Sequence, residues 1–134
     1  MSWRNLLAIG LGGALGTNFR YMFNINTVGF GYPLGTILVN LVGSFILGVL
    51  TGWLLHRKMK EWLRLGLGVG FCGGFTTMST LAADTFMMHQ HSSIHQVVLY
   101  LSISLFGGLS LAFVGFVVGR RGSKLLKTRT VETK

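Results

Sequence analysis

Gly66-Leu-Gly-Val-Gly-Phe-Cys-Gly-Gly-Phe-Thr-Thr-Met-Ser-Thr80 decides how this chain folds, because it sets glycines and four hydroxyls inside an otherwise apolar run. A bilayer accepts irregular backbone or clustered hydroxyls at depth only where they are buried against protein or line a polar path. Gly73-Gly74 followed by Phe75-Thr76-Thr77 marks the expected break in a membrane helix, since glycine carries a helix poorly and hydroxyls compete for its backbone bonds. Carbonyls freed at a break suit a bare cation, and the new helix N-terminus favours negative charge. The run therefore reads as part of a pore, against the neutral alternative of a kink without a ligand.

Composition agrees with a bilayer setting. Of the 134 residues, 50% are hydrophobic and 11% charged, with twenty glycines against one proline, Pro33. The glycines lie within apolar runs, which suits close helix contact rather than a flexible linker. The first run, Leu6 to Phe23, lacks a small-x-small cleavage site leading into a soluble protein, so it is expected to stay as a helix. A single cysteine, Cys72, provides neither an intrachain disulfide nor a four-cysteine metal site. The net charge of +9 comes from basic residues that flank apolar runs rather than interleave with exposed aromatics, which argues against nucleic acid as a partner. No Ser/His/Asp arrangement, paired carboxylate or phosphate loop supports an enzyme.

Four segments are long enough to cross the hydrocarbon core of a membrane: 5–23, 34–55, 63–88 and 96–119. The expected fold is an all-α membrane protein of four transmembrane helices with the third one broken. Residues 1–119 form the channel domain and 120–134 a basic cytoplasmic tail. Asn24 to Pro33 has turn composition, and His56 to Lys60 separates the second and third spans. Arg4, Arg57, Lys58, Lys60, Arg64, Arg120, Arg121, Lys124, Lys127, Arg129 and Lys134 fall on one side, and only Arg20 lies towards the other. The positive-inside rule then places both termini and the central loop in the cytoplasm of a multi-pass cell-membrane protein with one fixed orientation.

Small residues recur four apart at Gly12/Gly16, Gly48/Gly52, Gly66/Gly70/Gly74 and Gly115/Gly119. Lipid gives no hydrophobic drive for helices to associate, so this spacing supplies backbone contact that Leu against Leu cannot. Four thin helices scarcely enclose a path alone, and at least a dimer is expected. Asn40, midway along the second span, offers amide donors to an anion or glues two helices together. Arg20 reads as a residue that snorkels to the outer interface. His89, His91 and His95 lack a fourth ligand and read as solvated loop imidazoles rather than a metal site. Asp84 reads as a cap or water-facing group.

At these residues the chain resembles the Fluc family of fluoride channels, also called CrcB proteins. Gly12-Gly-Ala-Leu-Gly-Thr-Asn-Phe-Arg-Tyr21, Gly35-Thr-Ile-Leu-Val-Asn-Leu-Val-Gly-Ser-Phe45 and Gly70-Phe-Cys-Gly-Gly-Phe-Thr-Thr-Met-Ser-Thr80 match its motifs in order. The resemblance implies an antiparallel dimer with two fluoride pores and a structural sodium ion at its centre, held by the backbone carbonyls of Gly73 and Thr76. It implies that Asn40, Ser79 and Thr80 line the anion path, with Ser104 and Ser110 as weaker candidates. The family's Thr-Thr-Phe-Ser-Thr-Phe segment turns two positive ring edges toward the anion. Here Met78 and Leu81 stand at those ring positions; methionine's polarised CH groups replace them in part, and leucine has no comparable edge.

Typical members of the family are similar to dual-topology proteins with little charge bias, whereas this chain is strongly one-sided. The expected partner is therefore a paralogous subunit of opposite bias, giving an antiparallel heterodimer in which one pore has degenerated. The expected function is passive fluoride export that protects the cytoplasm, with a non-conducting structural subunit as the alternative. A small four-helix multidrug antiporter would need a carboxylate in the first helix, and none is present.

Overall fold

The computed structural model describes residues 2–27, 29 and 31–132, and leaves the side chains of 126–132 outside the description. Helix α1 spans Trp3–Thr27 and α2 spans Leu34–Leu54. Helix α3 covers 61–75: it begins as Glu61–Leu65, widens into π-helical turns over Gly66–Cys72, and ends as Gly73–Phe75. Helix α4 spans Ser79–His91. Helix α5 covers 94–132, with a second π-helical stretch at Ile103–Gly107. Among the described residues the secondary structure is all helical.

Two boundaries differ from expectation. Asn24 to Thr27 belong to α1 rather than to the turn, because Asn26 Nδ2 and Thr27 Oγ1 fold back onto the Met22 and Phe23 carbonyls at 2.7 and 2.9 Å. Polar side chains that usually favour turns here satisfy the last turn of a helix instead. The basic tail is not a separate segment: α5 continues through it to Glu132. The Lys127 and Arg129 side chains, and Lys134 entirely, lie outside the described residues.

Leu34–Leu54, Glu61–His91 and Ile94–Leu125 are each long and apolar enough to cross a membrane. Helix α1 has the length, at 25 residues, but Asn18 and Arg20 lower its hydropathy and leave it outside that set. The outer faces fit lipid or a partner chain: Leu11 on α1 is 67% exposed and Phe113 on α5 is 68% exposed. This is the build of a membrane protein.

The glycine stripes sort the helices into two pairs. A Cβ placed on Gly12 or Gly16 of α1 would strike the backbone of Gly66 or Phe71 on α3, and one on Gly74 would strike Gly13. In the second pair, Gly48 and Gly52 of α2 press on the Ala112 and Phe116 carbonyls of α5, while Gly115 and Gly119 press back on Phe45 and Val49. Backbone therefore meets backbone at every predicted stripe, which gives dispersion contact without a hydrophobic drive. Where α2, α4 and α5 meet, Ile37, Leu81, Met88, Val97 and Tyr100 form a small buried cluster.

The 31–33 turn needs one special backbone conformation, at Gly31 with φ +64°. Tyr32 then lays its ring edge-on against Tyr100 at 5.9 Å. At the opposite end of α2, the fully buried Ser123 Oγ lies 3.3 Å from His56 Nδ1, joining the central loop to the continuation of α5.

Gly12→Ala is expected to lower the unfolding midpoint in detergent by an amount corresponding to about 1–3 kcal/mol, the usual cost of overpacking. Gly10→Ala, one half-turn away with open space at its Cβ, leaves the midpoint unchanged or slightly higher. Equal midpoints for the two variants would disprove the close α1–α3 contact.

Candidate functional site

The break between α3 and α4 is where the helix geometry fails and a side chain repairs it. Thr76 turns extended, with φ −76° and ψ 156°, and the chain resumes helix at Ser79. Asn40, from the middle of α2, meets the interrupted backbone with both ends of its amide. Its Oδ1 accepts from the Thr77 N–H at 2.7 Å, and its Nδ2 donates to the Thr77 carbonyl at 3.0 Å. The same Nδ2 lies 3.4 Å from Ser104 Oγ on α5. One side chain thus replaces the donor and the acceptor that a continuous helix would have supplied to Thr77.

Both halves of the break are closed locally. Thr76 N–H and Oγ1 each donate to the Cys72 carbonyl at 2.9 Å, which ends the first half. Thr77 Oγ1 accepts from the Thr80 N–H at 3.1 Å, as a capping hydroxyl does at a helix start. Thr77 Oγ1 also lies 3.0 Å from Thr80 Oγ1 and 3.3 Å from Ser79 Oγ. Three hydroxyls therefore gather where α4 begins and where the helix dipole favours negative charge. The first half leaves Gly74's carbonyl accepting from Thr17 Oγ1 at 3.4 Å. Thr77 N–H, which would have continued the ladder to Gly73, is turned to Asn40 instead.

A cavity of about 280 Å³ opens beside this break. Asn40, Thr76, Met78, Leu81 and Ser104 all contribute to its wall. Ser104 is buried and sits within the wide turn Ile103–Gly107, whose extra residue resets the phase of α5 toward Asn40. Ser79 and Thr80 are outside this lining; Thr80 instead borders a second cavity nearer the start of α2. Ser110 is exposed on α5 and borders neither.

Met78 and Leu81, paired by their motif, have opposite surroundings. Leu81 is 2% exposed and packs in the cluster with Ile37 and Tyr100, while Met78 is 69% exposed. Gly73 is exposed and the space beyond it is open. The aromatic rings of this region lie elsewhere, in a chain running Phe19, Phe71, Phe75 and Phe23 with centroids about 6 Å apart.

Asp84 lies within α4 rather than at a cap, and it is half-buried on the wall of an open cavity. Its Oδ2 accepts from Thr36 Oγ1 at 2.6 Å and from the Tyr100 hydroxyl at 2.8 Å, so one carboxylate ties α2, α4 and α5 together. Tyr32 OH donates to the Gln96 carbonyl at 3.3 Å, and burial pushes its phenol above the ordinary pKa. The three histidines are helical rather than in a loop: His89 and His91 lie in the last turn of α4, where His91 Nδ1 is 3.1 Å from the Met87 carbonyl, and His95 lies in the first turn of α5.

A membrane helix interrupted beside a cavity with a few polar groups in a mostly apolar wall is a feature that membrane channels and carriers share. Residues 7–116 match the family model described as CrcB-like protein, Camphor Resistance (CrcB). The chain is 50% identical over 118 residues to fluoride-specific ion channel FluC 2 of Halalkalibacterium halodurans, covering 88% of this chain and 87% of that one. It is 39% identical over 127 residues to FluC 2 of Bacillus subtilis, covering 95% and 96% of the two chains. It is 40% identical over 116 residues to FluC of Methanocaldococcus jannaschii, covering 86% and 94%. The chain belongs to the CrcB family.

Leu81→Ala is expected to destabilise the protein by about 2–5 kcal/mol, as for other buried leucines, whereas Met78→Ala changes folding stability by less than about 1 kcal/mol. Asn40→Ala strips Thr77 of two partners and costs about 1–3 kcal/mol for each group left unsatisfied. Unfolding midpoints in a mild detergent measure all three, and an Asn40→Ala midpoint equal to wild type would refute the clamp.

Proposed function

We propose that this chain is a subunit of a fluoride-selective channel, carrying fluoride out of the cytoplasm and so reducing its toxicity. The observation that carries the reading is the Asn40 clamp, which keeps a membrane helix broken beside a mostly apolar cavity that an amide and a few hydroxyls enter. The relatives' name, fluoride-specific ion channel, supports fluoride as the halide. A small, strongly hydrated anion needs several dipoles at close range to replace its water; Asn40 and Ser104 offer them in the cavity wall, with Ser79 and Thr80 one hydrogen bond behind on Thr77. The Asn40 donors are engaged within the protomer, so fluoride binding there exchanges one hydrogen bond for another rather than filling an idle donor.

The assembly in this reading is an antiparallel dimer of four-span subunits with α1 as the first span and both termini cytoplasmic. The partner is a paralogous subunit of opposite charge bias, and the complex sits in the cell membrane. Exposed Met78 and Gly73 lie on the face that such a partner covers. Sodium fits the donor set at the break: Thr77 N–H bonds Asn40 and Thr80 N–H bonds Thr77 Oγ1, so the Gly73 and Thr76 carbonyls lose the donors a continuous helix would give them. The carbonyls of Gly73 and Thr76 would hold the ion, whose charge would offset that of passing anions.

A second reading, a structural subunit that completes its partner's pore without conducting, is favoured by Leu81. Its side chain is committed to the protomer core and carries no positive ring edge.

Vesicles loaded with fluoride and chloride, with ion-selective electrodes outside, test these readings. The co-expressed pair is expected to release fluoride and retain chloride, and this chain alone to release neither; failure of the pair to pass fluoride would disprove the function. In the pair, Asn40→Asp is expected to cut fluoride flux roughly tenfold or more, since loss of about 1.4 kcal/mol in anion affinity is tenfold. Thr76→Ala, which keeps the carbonyl, leaves flux little changed.

A further inference from the structure

Helices α1 and α3 run the same way. Contact passes from Gly16 with Phe71 and Phe75, through Gly12 with Gly66 and Phe71, to Ala8 with Gly66, so both helices begin at one end of the bundle. Along this seam lies a hollow of about 210 Å³. Gly12 and Gly66 border it, and its walls include Leu11, Leu15, Trp62, Leu67 and Phe71. Leu11, Leu15, Trp62 and Leu67 are all exposed, so the protomer itself leaves the hollow uncovered.

One turn nearer the start of both helices the chemistry changes. Arg4 precedes Ala8 by a turn on the same face of α1, and Lys60 stands at the cap of α3, three residues before the wall residue Leu63. The seam's register brings Arg4 level with Trp62, and Asn5 beside it is already buried. Arg4, Lys60 and Arg64 are exposed, and among the described residues none of the three has a side-chain hydrogen bond or ion pair. Against them stands one exposed acid, Glu61.

We propose that this hollow holds an acyl chain of an anionic phospholipid whose phosphate rests on Arg4 and Lys60. An apolar hollow does not retain water, and left empty it forfeits dispersion contact that a chain of methylenes restores. A neighbouring protein helix, about 10 Å across with its side chains, fits only a side-chain tip into this volume and brings no charge for the basic rim. The lipid supplies both parts. Basic pockets between membrane helices recognise acidic headgroups, and Arg and Lys lay their stems along apolar surface while the charge reaches the interface. Trp62 joins the two zones, since indole favours the headgroup level. The same glycines that let the α1 and α3 backbones touch leave the seam without side chains to fill it.

The lipid site is separate from the break: Asn40, Gly73, Thr76 and Thr77 do not border the hollow. Its occupation does not depend on the fluoride-channel reading.

Fluorescence quenching in phosphatidylcholine vesicles tests the proposal, using the complete assembly and rising mole fractions of phosphatidylglycerol with brominated chains, which quench tryptophan on contact. The difference between wild type and Trp62→Phe isolates the Trp62 emission. Half-quenching of that emission is expected at a several-fold lower mole fraction of brominated phosphatidylglycerol than of brominated phosphatidylcholine. Arg4→Gln and Lys60→Gln, both at exposed positions, are each expected to narrow the gap, and the double variant to close it. Equal quenching by the two lipids in the wild type means a non-selective lipid coat and overturns the proposal. So does absence of quenching by either, which means that protein covers the hollow, or a preference that survives the double variant. Fluoride efflux from the same vesicles reports on the transport reading separately.

Discussion

A peptide group released from a helix inside hydrocarbon has no water to turn to, and Asn40 answers that constraint for Thr77. The amide is the one neutral side chain that offers a donor and an acceptor side by side, matching the backbone it replaces. Everything near the break follows from this substitution. Thr76 can turn extended, Thr77 Oγ1 is free to cap the new helix, and the hydroxyls of Ser79 and Thr80 collect around it. Serine or leucine at position 40 would supply at most half of the pairing.

The clamp works only if α2 is held at the right depth against α3, and glycine backbone contact does that. Gly43 leaves room for the Thr76 methyl and the Phe75 ring, so α2 approaches the break with no side chain of its own in between. Farther along, Gly48 and Gly52 fix α2 against α5, which brings Ser104 to the other side of Asn40. The wide turns in α3 and α5 add the rotational adjustment that regular α geometry would not allow.

Much of this was legible in the sequence. The all-helical class, the break after Gly73-Gly74 and the pairing faces of all the glycine stripes follow from residue spacing, because backbone approach and helix-breaking are local properties. Asn40 was visible as a polar group at mid-depth, yet its two readings differ only by what stands opposite, which no single segment encodes. The partners of Asp84 were hidden for the same reason: Thr36 and Tyr100 lie on other helices, 48 and 16 residues away in sequence. Leu81 and Met78 share a motif but not an environment, since α4 begins between them and sends successive residues to different sides. The end of α1 was set too early because side chains that commonly open a turn here bond back to their own helix.

The continuity of α5 has a mechanical consequence. The 32 residues from Ile94 to Leu125 extend about 48 Å at roughly 1.5 Å per residue, well beyond a hydrocarbon slab about 30 Å thick. The excess forms a stiff post whose root is pinned by the Ser123–His56 contact. A domain fused in helical phase to that post would inherit the orientation of the bundle, giving a small, nearly featureless protein a rigid fiducial for imaging.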